Sequence, residues 1–235
     1  MPASGLRPTH KKTLINHRFI PTIIVASVFG ALATLSFGQV VKDGNGYRFH
    51  VGNDRAELTF YSCDSTNADA YKGALLVPQS ITENGKTIPV KGVTSFACVY
   101  CSELNSVVLP EGIEHIGFGA FSDCPGLREV SLPSTLKQLE DWSFYRDESL
   151  ERLSVPSSAY RIGACSFGFC TSLGELEVER GVRCIAPHAF YYCQALSEVT
   201  IPWTVDELGE YAFAYCSGLK QITMEDAPIA ITEDV

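Results

Sequence analysis

Charged residues are scarce in this 235-residue chain: Asp, Glu, Lys and Arg make up 19% of it, whereas hydrophobic residues make up 46%. That composition is typical of a folded protein and excludes collagen-like and low-complexity chains. The sequence has no glycine-rich phosphate loop, no alternating Asp/Asn run for calcium and no recognisable nucleophile motif. Only three histidines follow residue 38, each in a different sequence context. We therefore predict a non-enzymatic protein with no catalytic, cofactor or metal site.

Acidic residues are absent from the first 38 positions, which hold four Lys and Arg residues. Residues 39–235 therefore carry the other 14 of the 18 basic residues and all 27 acidic residues. A body this acidic argues against a nucleic-acid partner, because such proteins neutralise phosphates with Lys and Arg.

The basic N-terminus precedes an apolar run from Ile23 to Leu35, which has the length of the hydrophobic region of a secretory signal. Small residues allow cleavage after Gly38, the site we favour, or after Ala33. We predict that residues 1–38 are a signal peptide and that the protein is secreted or on the cell surface. The alternative is an uncleaved anchor, and only in that case would this segment contact a membrane.

A repeat of 23 residues fills the chain from Cys98 onward. When the units are aligned, one position, here called the Phe column, holds phenylalanine in five units and Cys98 in the unit before them. The position six residues later, the leucine column, holds leucine in all six units. The phenylalanines are Phe121, Phe144, Phe167, Phe190 and Phe213, and the leucines are Leu104, Leu127, Leu150, Leu173, Leu196 and Leu219. A unit this short cannot bury its own apolar face, so we expect stacked coils that share one core. Segments such as Leu127 to Pro133 alternate apolar and polar residues, which predicts one short strand per coil in a parallel sheet.

The segment from Ile116 to Pro133 resembles the BspA-type leucine-rich repeat, Ile-Gly-x-x-Ala-Phe-x-x-Cys-x-x-Leu-x-x-Val-x-Ile-Pro, almost letter for letter. The resemblance implies an α/β-type repeat solenoid, right-handed, with short parallel strands. It covers residues 90–235 as six units of 23 residues, of which the C-terminal one is incomplete. The departures from the pattern are Cys98 in the Phe column, Asp147 in the Cys column, and Glu179 and Glu225 where proline is usual.

Residues 39–89 precede the 23-residue repeats and have a different sequence pattern. They resemble the β-hairpin region that covers the first repeat in this family. Tyr47–Val51 and Ala56–Tyr61 alternate like strands, and Asn84–Gly85 is a strong hairpin turn signal. Since a solenoid end presents open strand edges, we predict an N-terminal β-hairpin cap.

The nine cysteines are better explained as core residues than as a disulfide framework. Cys101, Cys124, Cys170, Cys193 and Cys216 recur at the repeat period, where side chains of neighbouring coils run parallel. That arrangement disfavours both regular bridging and a tetrahedral zinc site. Any disulfide would more readily use Cys63, Cys165 or Cys184, whose pairing stays open.

Two surfaces are candidate binding sites. The positions that flank the apolar strand residues must point outward, and they form a polar, acidic face whose candidate residues are Glu129, Arg152, Glu175, Glu177, Glu198 and Thr200. Aromatic residues two positions before or after the Phe column are candidate contacts: Trp142, Phe169, Tyr192, Tyr211 and Tyr215. The alternatives are a solvated sheet face and packing between adjacent coils, respectively.

The family resemblance favours a cell-surface or secreted adhesin-like module that binds extracellular proteins of a host, a matrix or other cells. Exposed aromatic rings leave open a glycan-binding accessory module, and an unfinished last unit leaves open a structural spacer within a longer surface protein. Because fold does not imply function, the adhesin interpretation rests on analogy.

Overall fold

The computed structural model describes residues 40–43, 45–59 and 71–226, which form strands and turns. The predicted signal segment, Cys63 and the unfinished unit at residues 227–235 lie outside these residues. Within the described ranges, no helix has the length and hydropathy needed to cross a membrane.

Short strands make up all of the regular secondary structure in the described part of the chain. They are β1 (Val40–Lys42), β2 (Arg48–Val51), β3 (Ala56–Leu58), β4 (Gly73–Leu76), β5 (Ser80–Glu83), β6 (Lys86–Val93), β7 (Leu104–Val108), β8 (His115–Ile116), β9 (Glu129–Ser131), β10 (Gln138–Leu139), β11 (Arg152–Val155), β12 (Arg161–Ile162), β13 (Glu175–Val178), β14 (Cys184–Ile185), β15 (Glu198–Ile201), β16 (Glu207–Leu208) and β17 (Gln221–Met224).

Each coil of the solenoid contributes one strand to a front sheet and a two-residue strand to a side sheet. The front sheet runs β4, β7, β9, β11, β13, and β15 pairs with β17 next to it. The side sheet runs β1, β2, β3, β6, β8, β10, β12, β14, β16. Pairing between coils is parallel and offset by one repeat, so Gln138 lies between His115 and Arg161. The predicted solenoid with parallel strands is confirmed.

The third side of each coil consists of back turns, which contain the Phe column. The N–H groups of Trp142, Phe144 and Arg146 donate to carbonyls of the next coil, at 2.8–2.9 Å. Trp142 and Arg146 also have left-handed φ angles of 63° and 61°. A helix needs right-handed φ values and uses its N–H groups for carbonyls four residues earlier, so bonding between coils replaces helix here. The α/β class is accordingly not confirmed, because the described residues contain no helix.

Ladders of identical side chains fill the core between these three sides. The rings of Phe121, Phe144, Phe167 and Phe190 are fully buried, and neighbouring rings stack with centroids 5.1–5.5 Å apart and planes within 11° of parallel. The leucine column is fully buried from Leu104 to Leu196. Because each coil covers the next, the apolar surface of a short unit becomes a continuous core, as the repeat predicts.

The cysteine column forms a ladder of buried thiols. The Sγ atoms of Cys170 and Cys193 donate to the carbonyls of Phe144 and Phe167, each 26 residues earlier, at 3.3 Å. The eight described cysteines are all free thiols, including Cys165 and Cys184. The expectation of buried thiols along this ladder is therefore confirmed.

Strands β1 to β6 extend the solenoid at its N-terminal side. β1, β2 and β3 pair antiparallel in succession, and β3 lies parallel to β6 in the side sheet. Asn84 and Gly85 form the turn between antiparallel β5 and β6, with φ values of 52° and 76°. β2 and β3 lie within the predicted alternating segments and β5 and β6 form the predicted hairpin, whereas β1 and β4 are additional strands. The role of this region as a cap stays a prediction.

Candidate functional site

The front strands present alternate side chains to solvent, as the repeat predicts. In β11 the pattern is exposed, buried, exposed, buried from Arg152 to Val155. The strand register aligns the first exposed position of each coil, so Arg152 stands between Glu129 and Glu175. The six predicted residues of the acidic face are all exposed: Glu129, Arg152, Glu175, Glu177, Glu198 and Thr200.

An open groove of about 630 Å³ crosses this face from β9 to β15. Its ionisable lining consists of five glutamates and one arginine: Glu129, Glu175, Glu177, Glu179, Glu198 and Arg152. Five of the six predicted residues therefore lie together in the groove, and Thr200 lies on β15 outside its lining. Sequence reasoning missed Glu179, although its unusual place in the proline column was a signal.

The floor of the groove contains a break in the front sheet between β13 and β15. At β9, β11, β13 and β17, the residue before the front strand donates its N–H to the carbonyl one repeat earlier. These bonds are Arg128 to Asn105 at 2.9 Å, Glu151 to Arg128 at 3.2 Å, Gly174 to Glu151 at 3.0 Å and Lys220 to Ser197 at 2.8 Å. In the described part of the chain, no such bond joins Ser197 to Gly174. The side sheet continues past the break through β14 and β16, so only the front opens.

Like charges explain where the front sheet opens. Arg152 separates Glu129 from Glu175 across β9, β11 and β13. At the next step the repeat aligns Glu175 with Glu198, with no cation between them. Like charges directly opposite one another destabilise strand pairing. Leu176 is half-exposed here although Val130, Leu153 and Val199 of the same column are buried, which adds an apolar surface to the groove.

Hydrogen bonds fix some of the groove carboxylates and leave the arginine unpaired. Glu177 Oε2 accepts a bond of 3.1 Å from the Ser154 hydroxyl, and Glu179 Oε2 accepts one of 2.9 Å from the Ser157 N–H. Among the described residues, the Arg152 guanidinium has neither an ion pair within 4.0 Å nor a side-chain hydrogen bond. The groove thus offers several acceptors and one free guanidinium to a partner.

The predicted aromatic residues lie on the back turns and pack against one another. Tyr192 stacks between Phe169 and Tyr215, with centroids 5.0 and 5.4 Å away and planes within 22° of parallel. Trp142 packs on Tyr145 at 4.4 Å. Stacking between coils therefore covers part of the half-buried rings. Sequence reasoning missed Tyr145 and Tyr191, which stand one position after the Phe column and link the aromatic rows.

Two tyrosines of the last described coil are more open. Tyr211 and Tyr215 are 61% and 64% exposed, and their stacking partners, His188 and Tyr192, belong to the preceding coil. One face of each ring is therefore uncovered within the described residues. Exposed ring faces suit stacking against a sugar or another apolar surface.

Titratable groups on the back turns respond to burial. Burial raises the pKa of Tyr145 to about 12 and that of Cys165 to about 11. Neither group is ionised at neutral pH, which disfavours a nucleophilic role. The described residues also contain no group of three or more His, Cys, Asp or Glu side chains placed to hold a metal ion.

The family model for the BspA type leucine rich repeat region matches residues 91–233 in six copies. The chain belongs to this family. A BspA-type assignment agrees with the ladder of 23-residue coils and with the Phe, Cys and Leu columns that fill its core. No curated protein sequence matches the chain.

Solved structures of bacterial leucine-rich repeat proteins share the fold. A leucine rich cell surface protein of Faecalibacterium prausnitzii has a TM-score of 0.62 at 22% identity, over 80% of this chain and 55% of its own. A leucine rich repeat protein of T. pallidum has a TM-score of 0.59 at 24% identity, over 80% and 81%. The pneumococcal vaccine antigen PcpA has a TM-score of 0.65 at 21% identity, over 82% and 51%. This BspA-type chain thus spans about half the length of two of the three.

Proposed function

We propose that this protein is exported and acts at the cell surface or outside the cell as a binding module for another protein. The observation that carries the proposal is the open groove on the front sheet, where five glutamates and one arginine are brought together from four coils. Export is supported by the basic and then apolar N-terminal sequence. It is also supported by the similar fold of a leucine rich cell surface protein.

The charge of the groove selects the partner. A cleft lined by one sign of charge attracts ligands of the opposite sign and raises their rate of association. The lining carries five acidic side chains against one basic side chain. The partner is therefore a protein that presents a predominantly basic segment, bound without any chemical reaction at the site.

A binding screen of the purified protein against extracellular matrix proteins and polysaccharides tests this function. The groove variant changes Glu129, Glu175 and Glu198 to Lys, and a control variant changes the exposed residues Asp54, Glu210 and Asp226 to Lys. Both variants shift the net charge equally. Saturable protein binding that the groove variant loses and the control keeps supports the proposal. Equal losses in both variants mean that net charge alone drives binding and contradict it.

A glycan-binding function is the second candidate. Its support is the open ring faces of Tyr211 and Tyr215, which lie apart from the groove lining. Polysaccharide binding that survives the groove variant and is lost on Tyr211→Ala together with Tyr215→Ala identifies this function. If polysaccharides do not bind the unmodified protein at all, the glycan candidate fails.

A further inference from the structure

The single cation of the groove stands in the middle of an acidic row. Register places Arg152 beside Glu129 on one side and Glu175 on the other, and Glu198 follows across the break in the sheet. Paired strands lie about 4.8 Å apart, and the side sheet pairs these four coils in succession from β10 to β16, so the four charged side chains span roughly 14 Å along the solenoid. Read along this row, the surface charges are negative, positive, negative, negative.

Arg152 is close to two glutamates and bonds to neither. Within the described residues, no guanidinium nitrogen of Arg152 lies within 4.0 Å of a carboxylate oxygen, although ion pairs of 2.8–3.9 Å occur at other arginines. A guanidinium has five donors in a planar fork and binds carboxylates in a bidentate manner. Exposed and unpaired, Arg152 is available to a carboxylate that arrives with a partner.

An extended polypeptide matches this row in dimensions. Side chains on one side of an extended chain recur about every 6.6 Å, so three successive ones cover about 13 Å. A chain that follows the groove with its first side chain opposite Glu129 therefore sets the third near Glu198 and the middle one between Arg152 and Glu175, nearer to Arg152. Complementary charge favours basic side chains at the outer two positions and, where the middle one pairs with Arg152, an acidic side chain there.

We propose that Arg152 determines specificity in the groove by pairing with an acidic side chain of an extended, otherwise basic segment of the partner protein. This inference rests on the proposed function. It narrows the proposed partner from any basic segment to a basic segment that carries an acidic residue at a defined position. A purely basic segment leaves Arg152 against like charge, and a single carboxylate at the middle position removes that repulsion.

The test uses two nine-residue peptides, Lys-Ser-Lys-Ser-Glu-Ser-Lys-Ser-Lys and the same peptide with Gln in the centre. Binding to the purified protein is measured at physiological salt, where charges more than about 8 Å apart are largely screened. We expect the Glu peptide to bind about two- to five-fold more tightly than the Gln peptide, the size expected for one exposed ion pair. Because every other ionisable group in the lining is a glutamate, only Arg152 accounts for that preference.

The preference must depend on Arg152. Arg152→Gln is expected to abolish or reverse it, whereas Arg128→Gln, a matched change outside the groove lining, is expected to keep it. Unchanged thermal unfolding of Arg152→Gln verifies that the front sheet remains intact. A Gln-peptide preference in the unmodified protein, or an unaltered Glu preference in Arg152→Gln, overturns the role of Arg152 alone. If neither peptide binds, the groove does not bind basic segments, and the proposed function through it also fails.

Discussion

Asp147 Oδ1 accepts a hydrogen bond of 2.9 Å from the N–H of Cys124, one repeat earlier in the chain. Asp147 replaces cysteine in the buried ladder and is itself fully buried, and its second carboxylate oxygen has no partner among the described residues. Burial raises the pKa of Asp147 well above its ordinary value, and the bond from Cys124 only partly opposes that. A buried position that holds a cysteine thiol in the other coils thus holds, in this coil, a carboxyl group that favours its neutral form.

Restoring the ladder with Asp147→Cys is expected to stabilise the protein at neutral pH. Leaving a buried polar group unsatisfied costs about 1–3 kcal/mol, and a domain of this size gains about 2–4 °C in Tm per kcal/mol. Thermal unfolding of both proteins measures the effect. A Tm for Asp147→Cys at or below that of the unmodified protein at pH 7.5 would contradict it.

The benefit of Asp147→Cys also depends on pH. The pKa of Asp147 is raised in the folded state. The carboxyl therefore destabilises the folded protein least below the pKa of an unfolded Asp, about 3.9, and progressively more as pH rises from there towards the folded-state pKa. The Tm difference between variant and unmodified protein is therefore expected to grow from pH 4.5 to pH 8. As a control, the same pH series is measured for Asp226→Asn, which removes an exposed carboxyl outside the ladder.

Truncating a phenylalanine of the ladder to alanine is expected to cost more stability in the middle of the solenoid than at its last described coil. Phe144 is fully buried between Phe121 and Phe167, so Phe144→Ala is expected to lower the free energy of unfolding by about 3–5 kcal/mol. Phe213 is only partly buried at the last described coil, and Phe213→Ala should cost clearly less. Denaturant unfolding of both variants decides this, and equal costs would mean that the coils do not share one continuous core.

Gly92 controls how the N-terminal strands attach to the first coil. A Cβ at this position would overlap the His115 imidazole, which lies over Gly92 and reaches the buried Glu57 carboxylate at 3.6 Å. Gly92→Ala is expected to displace His115 and leave Glu57 with poorer compensation, at a cost of about 1–3 kcal/mol. The measurable result is faster hydrogen exchange in β2 and β3.

Gly52→Ala is the matched control for that experiment. Its Cβ would meet the Arg55 carbonyl at 3.5 Å, an ordinary contact, so exchange in the same strands should stay as in the unmodified protein. Similar exchange rates in the two variants would show that His115 does not hold these strands. Self-association that appears only in Gly92→Ala would support the predicted role of residues 39–89 as a cap.

Thiol labelling of the native protein tests the cysteine ladder. Cys98, Cys124, Cys170 and Cys193 are buried, whereas Cys165 is half-exposed with its pKa raised by burial to about 11. Alkylation is expected at Cys165 before these four buried thiols, slowly at pH 7 and faster as pH rises towards 11. Peptide mass spectrometry reads the order, and earlier labelling of Cys124 or Cys170 would contradict the buried ladder.

The 23-residue period predicts much of this structure because each column has one environment in every coil. Leu127 and Phe144 are buried and Glu129 is exposed as their columns require. Two features depend on contacts between coils that the pattern does not encode. Bonds such as Phe144 to Ser166 keep the back turns from becoming helical, and within the described residues the front sheet lacks the bond that would join Ser197 to Gly174, although both strands keep the repeat pattern.

Carboxyl footprinting of the protein with and without a bound protein partner tests the central claim most directly. Carbodiimide coupling followed by peptide mass spectrometry reports the accessibility of individual Asp and Glu side chains. We predict that the partner protects Glu129, Glu175 and Glu198 in the groove, while Asp54 and Glu210 react equally in both states. Protection at Glu210 on the back turns, with the groove glutamates unchanged, would place the binding surface elsewhere and contradict the account.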